Sequence, residues 1–328
     1  RLPETFGKPA YLAREASRFI RENRNDPFVL FVNFLEPHMP FFGPRDNQYN
    51  PDDIALPGNF NAIPSKDQHP KTRLLQRSYY EFGHGGEPLR TEADWRRLIS
   101  RYWGLCSLVD THAGTILNTL RECGIYDDTI IVFTSDHGDM MGSHRLLTKC
   151  VMFEEATTVP LIIRLPGRTE AKTIKRPVSQ IDLLPTLLDL ISLSSTFTFP
   201  PKSLRPLIED GEEAFEDDVF IEWNGHNAGG WRKRVAGQES VRLPDGIGEE
   251  QAIAAIADPV RTIITPDGWK FNCSPMGEHE LYNLNDDPLE MRNLANKKGN
   301  HPLMRELAAR IRRWQDRTAD GVRLPTSI

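Results

Sequence analysis

Apolar positions alternate between helical and strand-like periods through the first two thirds of the chain. In KPAYLAREASRFIRENR, Leu12, Ala16, Phe19 and Ile20 share one helical face, and Pro9 suits a first turn. The run Phe28 to Phe34 is nearly all apolar, the pattern of a strand buried on both faces. From Phe41 to Thr91 periodicity gives way to Pro, Gly and Asn, over a length that predicts a functional, ordered excursion. A long helix follows over Glu92 to Cys123, its stripe running from Trp95 through Ile99, Tyr102, Cys106 and Ile116 to Leu120, with Gly124 as its stop. Strands are predicted over Thr129 to Thr134 and within Val159 to Gly167. A helix is predicted over Ser179 to Ile191, with Pro185 in its first turns.

Strand, helix and strand in this order predict an α/β sheet of mostly parallel strands, covered on both faces. After about Pro200 the texture changes. DDVFIEWN, VRTIITPDGWKFN and HELYNL are short strand-like runs, and PLMRELAARIRRWQDRT is a last helix. GIGEEQAIAAIAD reads as a loop or a short helix. The expected organisation is an α/β portion over residues 1–204 and a smaller α+β subdomain with an antiparallel sheet over residues 205–328.

Composition narrows the function classes. The 328 residues carry a net charge of −6, which argues against nucleic acid as a partner. The compact basic cluster WRKRV reads as a solvated surface. No apolar run reaches the roughly 20 residues that span a bilayer. The chain opens on Arg1-Leu2-Pro3-Glu4, without an initiator Met or signal-peptide pattern, and is expected to be a processed product or a fragment. None of its four cysteines forms a C-x-x-C pair, and Cys106 and Cys123 read as core residues.

The chemistry gathers at strand ends, where α/β sheets bind ligands. The first strand delivers Glu36 and His38, and FTSDHGDMMGSH places Asp136 and His137 just past the second. Asp suits calcium, magnesium or manganese, and His extends the range toward manganese or zinc. The competing reading of Asp136 and His137 is a polar surface turn, for which Gly138 supplies flexibility. Lys149 lies among Leu146, Leu147, Val151 and Phe153, so its ammonium is expected in a cleft. Trp223, His226 and Arg232 are candidates for pocket contacts, with an ordinary surface loop as the alternative.

FTSDHGDMMGSHRLLTKCVMFEEATTVPLIIRLPG resembles the sulfatase family of the alkaline phosphatase superfamily. EPHMPF, SQIDLLPTLLDL and HELYNLNDDPLEMRNLAN are similar to further family segments, in the same order. The resemblance implies an incomplete, doubly wound, alkaline-phosphatase-like sheet. It implies that Asp136 and His137 bind a divalent metal, most often Ca2+ with Mg2+ or Mn2+ as alternatives, and that His38 and Lys149 contact the sulfate. His144 would lie near the substrate, a sulfate ester of a small molecule or saccharide, and His226 is a further candidate for a substrate contact from its own segment. Family members also carry paired aspartates after a first strand, and C-x-P-S-R or a close variant that matures to formylglycine, the nucleophile. Neither stands in these 328 residues. The chain alone is therefore expected to be catalytically silent and to bind metal poorly. The resemblance also implies a periplasmic or secreted location, which the chain itself does not encode. A phosphodiesterase or phosphonate monoester hydrolase of the same superfamily, and a binding-only relative without the nucleophile, are the alternatives.

Overall fold

A computed structural model describes residues 3–62, 66–193, 202–209, 217–226 and 241–328. Helix α1 (Lys8–Asn23) and helix α3 (Glu92–Glu122) pack along each other through Ala13, Ala16 and Ile20 against Ile116 and Leu120. Thr91 and Asp94 form a capping box at the start of α3. At its end Gly124 turns the chain with a positive φ of 73°, and Ile125 N–H bonds back to the Leu120 carbonyl.

The run Phe28–Phe34 is extended but has no ladder partner among the described residues. Phe28, Leu30, Val32 and Phe34 pack on the α1–α3 cluster beside Ile131. Val29 and Phe31 point outward, each 78% exposed. The expected burial on both faces is thus realised on one. Strand β1 (Ile131–Thr134) pairs with β2 (Leu161–Arg164), and the pairing is antiparallel. No ladder joins either strand to the 28–34 run, so parallel pairs do not occur among the described residues. Phe133 and Ile162 continue the exposed apolar rib.

The excursion 41–91 contains helix α2 (Pro70–Phe82), which the apolar pattern does not predict. Of the cysteines assigned to the core, Cys106 is exposed and Cys123 half-buried; Leu105 and Leu108 take the buried face instead. A short turn, α4 (Glu154–Thr157), precedes β2, and α5 (Leu183–Leu190) and α6 (Arg205–Glu209) follow it. The antiparallel sheet β3 (Val219–Glu222), β4 (Arg261–Ile264), β5 (Trp269–Cys273) and β6 (Glu280–Asn283) runs in that order. Helix α7 (Glu249–Ala257) precedes β4. Helix α8 (His301–Thr318) covers the sheet, with Leu307, Ala308 and Ile311 against Ile263, Phe271 and Leu281. No helix among the described residues is long and apolar enough to cross a membrane.

One ion cluster ties this sheet to the rest. Lys270, on β5, has no side-chain exposure and lies 2.8 Å from Glu154 and 2.9 Å from Glu290. Glu290 also accepts a bond from the Glu154 backbone N–H at 2.6 Å. Two carboxylates share one ammonium; Lys270 and Glu290 are enclosed, and Glu154 keeps partial contact with water. Burial pushes Glu290 up to about 7 although Lys270 pulls it down. Burial acts on Glu154 too, but Lys270 holds that carboxyl below its ordinary value.

This cluster makes stability depend on pH. Glu290 binds its proton more tightly folded than unfolded, so its contribution is complete below about pH 4.5 and is lost as pH rises through about 7. The loss amounts to about 3 kcal/mol. Urea unfolding at pH 5 and pH 8 checks this. The wild type should be weaker at pH 8 by more than a Glu290→Gln variant, and equal pH slopes for the two proteins would contradict the assignment.

Candidate active site

The turn after β1 brings two metal-type donors together. Asp136 Oδ1 accepts from the His137 backbone N–H at 3.0 Å, which leaves Oδ2 free, 3.5 Å from His137 Nε2. His137 Nδ1 lies 2.8 Å from the Gly138 carbonyl. A carbonyl only accepts, so Nδ1 carries a proton and Nε2 is the ring nitrogen turned toward the carboxylate. A carboxylate oxygen and an imidazole nitrogen at that distance can share a proton or flank a metal ion. Desolvation opposes ionisation of Asp136, but His137 and hydrogen bonds from nearby backbone and Ser135 hold its carboxyl below the ordinary value. The donor set fits one side of a divalent ion. Among the described residues no third His, Cys, Asp or Glu joins it, whereas calcium takes about 6–8 ligands and magnesium about six.

Gly138 is required here for space, not for an unusual backbone angle. A Cβ at this position would lie 2.1 Å from the Glu155 carbonyl oxygen. The Gly138 N–H bonds the Ala156 carbonyl at 3.0 Å, so the metal-type turn rests directly on α4.

The loop from Asp139 to Phe153 carries Lys149. Its path is unusual: Met141, His144, Arg145, Thr148 and Cys150 all have positive φ. Each such non-glycine residue costs roughly 1–3 kcal/mol and persists only where its surroundings enforce it. Asp139 enforces this one from within, accepting from Met141 N–H at 3.0 Å and Thr148 N–H at 2.9 Å. Burial raises the Asp139 carboxyl, against the pull of those two N–H groups and of the nearby charges of Lys149 and His137. Helix α2 holds the loop from outside: Gln76 donates to the His144 carbonyl at 2.6 Å and Tyr79 to the Leu147 carbonyl at 2.9 Å.

Half-buried Lys149 therefore sits between two left-handed residues, Thr148 and Cys150. No carboxylate pairs with it among the described residues. It lines the same open groove as Asp136, His137, Cys150 and Trp223. A cation and two metal-type donors thus line one groove, donor types suited to an anionic ester.

The remaining candidates are placed as follows. His38 is exposed at the end of the 28–34 run, with Nδ1 2.8 Å from the Met39 carbonyl. His226 is half-buried and edge-on to Trp223, with ring centres 4.8 Å apart. Arg232 and the WRKRV cluster lie outside the described residues. His144 does not face the groove. It has no exposure, stacks on Phe153 at 4.1 Å and bonds the Leu289 carbonyl through Nε2 at 3.0 Å. The expected substrate contact is replaced by a packing role, because a ring enclosed on both sides cannot reach a ligand. Sequence reasoning also gave no role to Asp139, although it stands inside the S-D-H-G-D stretch.

The family model described as Sulfatase matches residues 4–193. Choline-sulfatase from Rhizobium meliloti is 30% identical over 87% of this chain and 50% of its own length. Arylsulfatase K from Danio rerio is 30% identical over 83% of this chain and 49% of its own. A phosphonate monoester hydrolase from Silicibacter pomeroyi superposes with a TM-score of 0.76 at 24% identity, covering 96% of this chain and 61% of that one. The α/β fold is thus the alkaline-phosphatase-like fold of these proteins, and the chain spans about half the length of the two curated relatives.

The buried His144 generates a test. His144→Ala removes a stacked ring and leaves the Leu289 carbonyl unpaired, which should lower the unfolding free energy by about 3 kcal/mol. Chemical denaturation measures it. A variant of unchanged stability would return His144 to the list of ligand contacts.

Proposed function

The chain belongs to the sulfatase family, and on that premise we propose that it carries the metal-binding and sulfate-contacting half of a sulfate ester hydrolase. The observation that carries this reading is the approach of Asp136 Oδ2 and His137 Nε2 in the groove that Lys149 also lines. Asp136 and His137 would hold a divalent ion, with calcium the proposed metal. The ion would supply Lewis-acid polarisation of sulfate oxygens and of the nucleophile. The Lys149 ammonium, fixed by its loop before substrate arrives, stabilises charge on the sulfuryl oxygens as it grows. His38 would contact the sulfate through Nε2, the ring nitrogen that the Met39 carbonyl does not occupy. His226, beside Trp223, contacts the organic part of the ester.

The nucleophile is proposed to be formylglycine. None of the chain's cysteines stands in C-x-P-S-R, so it would come from a part of the protein other than these residues, as would further metal ligands. The two-part organisation at residues 204/205 belongs to this proposal, as does a sulfate ester of an aryl, choline or saccharide type as substrate. The likeness in fold to a phosphonate monoester hydrolase supports a second reading, hydrolysis of phosphonate or phosphate esters on the same residues. Parallel assays on 4-nitrophenyl sulfate and phenylphosphonate esters separate the two.

Two substitutions in the protein that carries this chain test the roles. Asp136 is largely exposed, so Asp136→Ala should abolish turnover with little change in thermal midpoint. Near-normal activity at saturating calcium would remove it from the metal site. Lys149→Ala should lower turnover by about two to three decades, the effect of losing one preorganised charge. If turnover held while the midpoint fell, Lys149 would be a scaffold residue.

A further inference from the structure

Two lysines are buried among the described residues, and in opposite ways. Lys270 is enclosed with two carboxylates within 2.9 Å. Lys71, in the first turn of α2, is only 6% exposed, yet among the described residues its ammonium has neither a carboxylate partner nor a hydrogen-bond acceptor. Its one contact is the face of Trp223, 4.0 Å from Nζ to the ring centre. An aromatic face offsets only part of the cost of taking an ammonium out of water. A methionine would fill the same space without that cost. The charge at this position is therefore unexplained by packing.

Its surroundings indicate where it acts. Burial brings Lys71 down to about 8, and the nearby Cys150, Asp258 and Glu280 oppose the fall, so the amine remains mostly cationic at neutral pH. Its field reaches Cys150, where the charge of Lys149 also acts, and it reaches His226. Cys150 and Trp223 both line the groove of Asp136, His137 and Lys149. The Trp223 Nε1 is buried and has no acceptor among the described residues. Beside Lys149, then, stand two more donors without acceptors, the Lys71 ammonium and the Trp223 indole N–H. Asp258 and Glu280 act on Lys71 only through space, and neither forms an ion pair with it among the described residues; two donors without a bonded acceptor offer a place for an anion.

We propose that Lys71 and Trp223 form a second anion subsite beside Lys149, which selects esters carrying another anionic group next to the scissile sulfate. This rests on the reading of the groove as a sulfate ester site, and it makes Lys71 a specificity residue for a doubly anionic substrate class.

Calorimetry with two inert probes tests it on the protein that carries this chain. Benzenesulfonate offers one anion, and 3-sulfobenzoate adds a carboxylate. The wild type should prefer sulfobenzoate, and Lys71→Met should reduce that preference about ten-fold or more, the effect of losing one charge-assisted bond. Trp223→Phe keeps a ring under Lys71 and removes Nε1; it should reduce the preference in the same direction, and Lys71→Arg should restore much of it. No preference in the wild type, or a preference unchanged in Lys71→Met, overturns the subsite. Hydrolysis of phenyl sulfate is followed in parallel. A protein that cleaves phenyl sulfate without preferring sulfobenzoate refutes the subsite alone. One that prefers sulfobenzoate through Lys71 but cleaves no sulfate ester refutes the sulfatase reading and leaves the subsite standing.

Discussion

An ammonium with no path to water requires its counter-charges in place before the surrounding structure can close. Lys270 imposes that requirement here. Its two carboxylates come from different stretches, Glu154 at the start of α4 and Glu290 beyond β6, so neither stretch can move without uncovering a buried charge. Breaking such a cluster by removing one partner typically costs about 3–5 kcal/mol. Helix α4 is the floor on which Gly138 rests, and the Lys149 loop ends where α4 begins. The position of the metal-type turn is in this way referred to the C-terminal sheet, although no residue of that sheet is proposed as a metal ligand.

The loop between these anchors is expensive in backbone terms, and its surroundings show why it holds. Asp139 binds it from inside, α2 grips two of its carbonyls, and His144 locks it onto Leu289. Met140, Leu146, Val151 and Phe153 sink into one apolar cluster with Leu75 and Tyr282. An ammonium carried on such a segment loses little further freedom when an anion arrives, which is the condition for a charge to favour the transition state over the ground state.

Sequence periodicity was a good guide where burial is apolar and local. Helices α1 and α3 and all the described strands lie where the patterns place them. Helix α2 escaped because its buried side is largely polar: Lys71, Thr72, Gln76 and Ser78 are buried along with Leu74 and Leu75. A hydrophobic stripe cannot reveal a face that serves a site. Asp136 and His137 could be singled out as a pair because neighbours in sequence are brought together by the local turn alone. His144 was misread because the partner that encloses it, Leu289, is 145 positions away. Lys71 was invisible for the same reason: Trp223 lies far along the chain, and nothing near Lys71 in sequence distinguishes it from a surface lysine.

The extended run Phe28–Phe34 separates two kinds of protection that usually coincide. Its alternate side chains are fixed on the α1–α3 cluster, while its backbone donors and acceptors have no ladder. A row of unpaired peptide groups flanked by Val29 and Phe31 is a template for strand addition. Such a template does not discriminate by origin. A strand from the same polypeptide meets it at a fixed effective concentration, whereas one from another copy meets it in proportion to the protein present. Dilution would therefore decide between the two pairings.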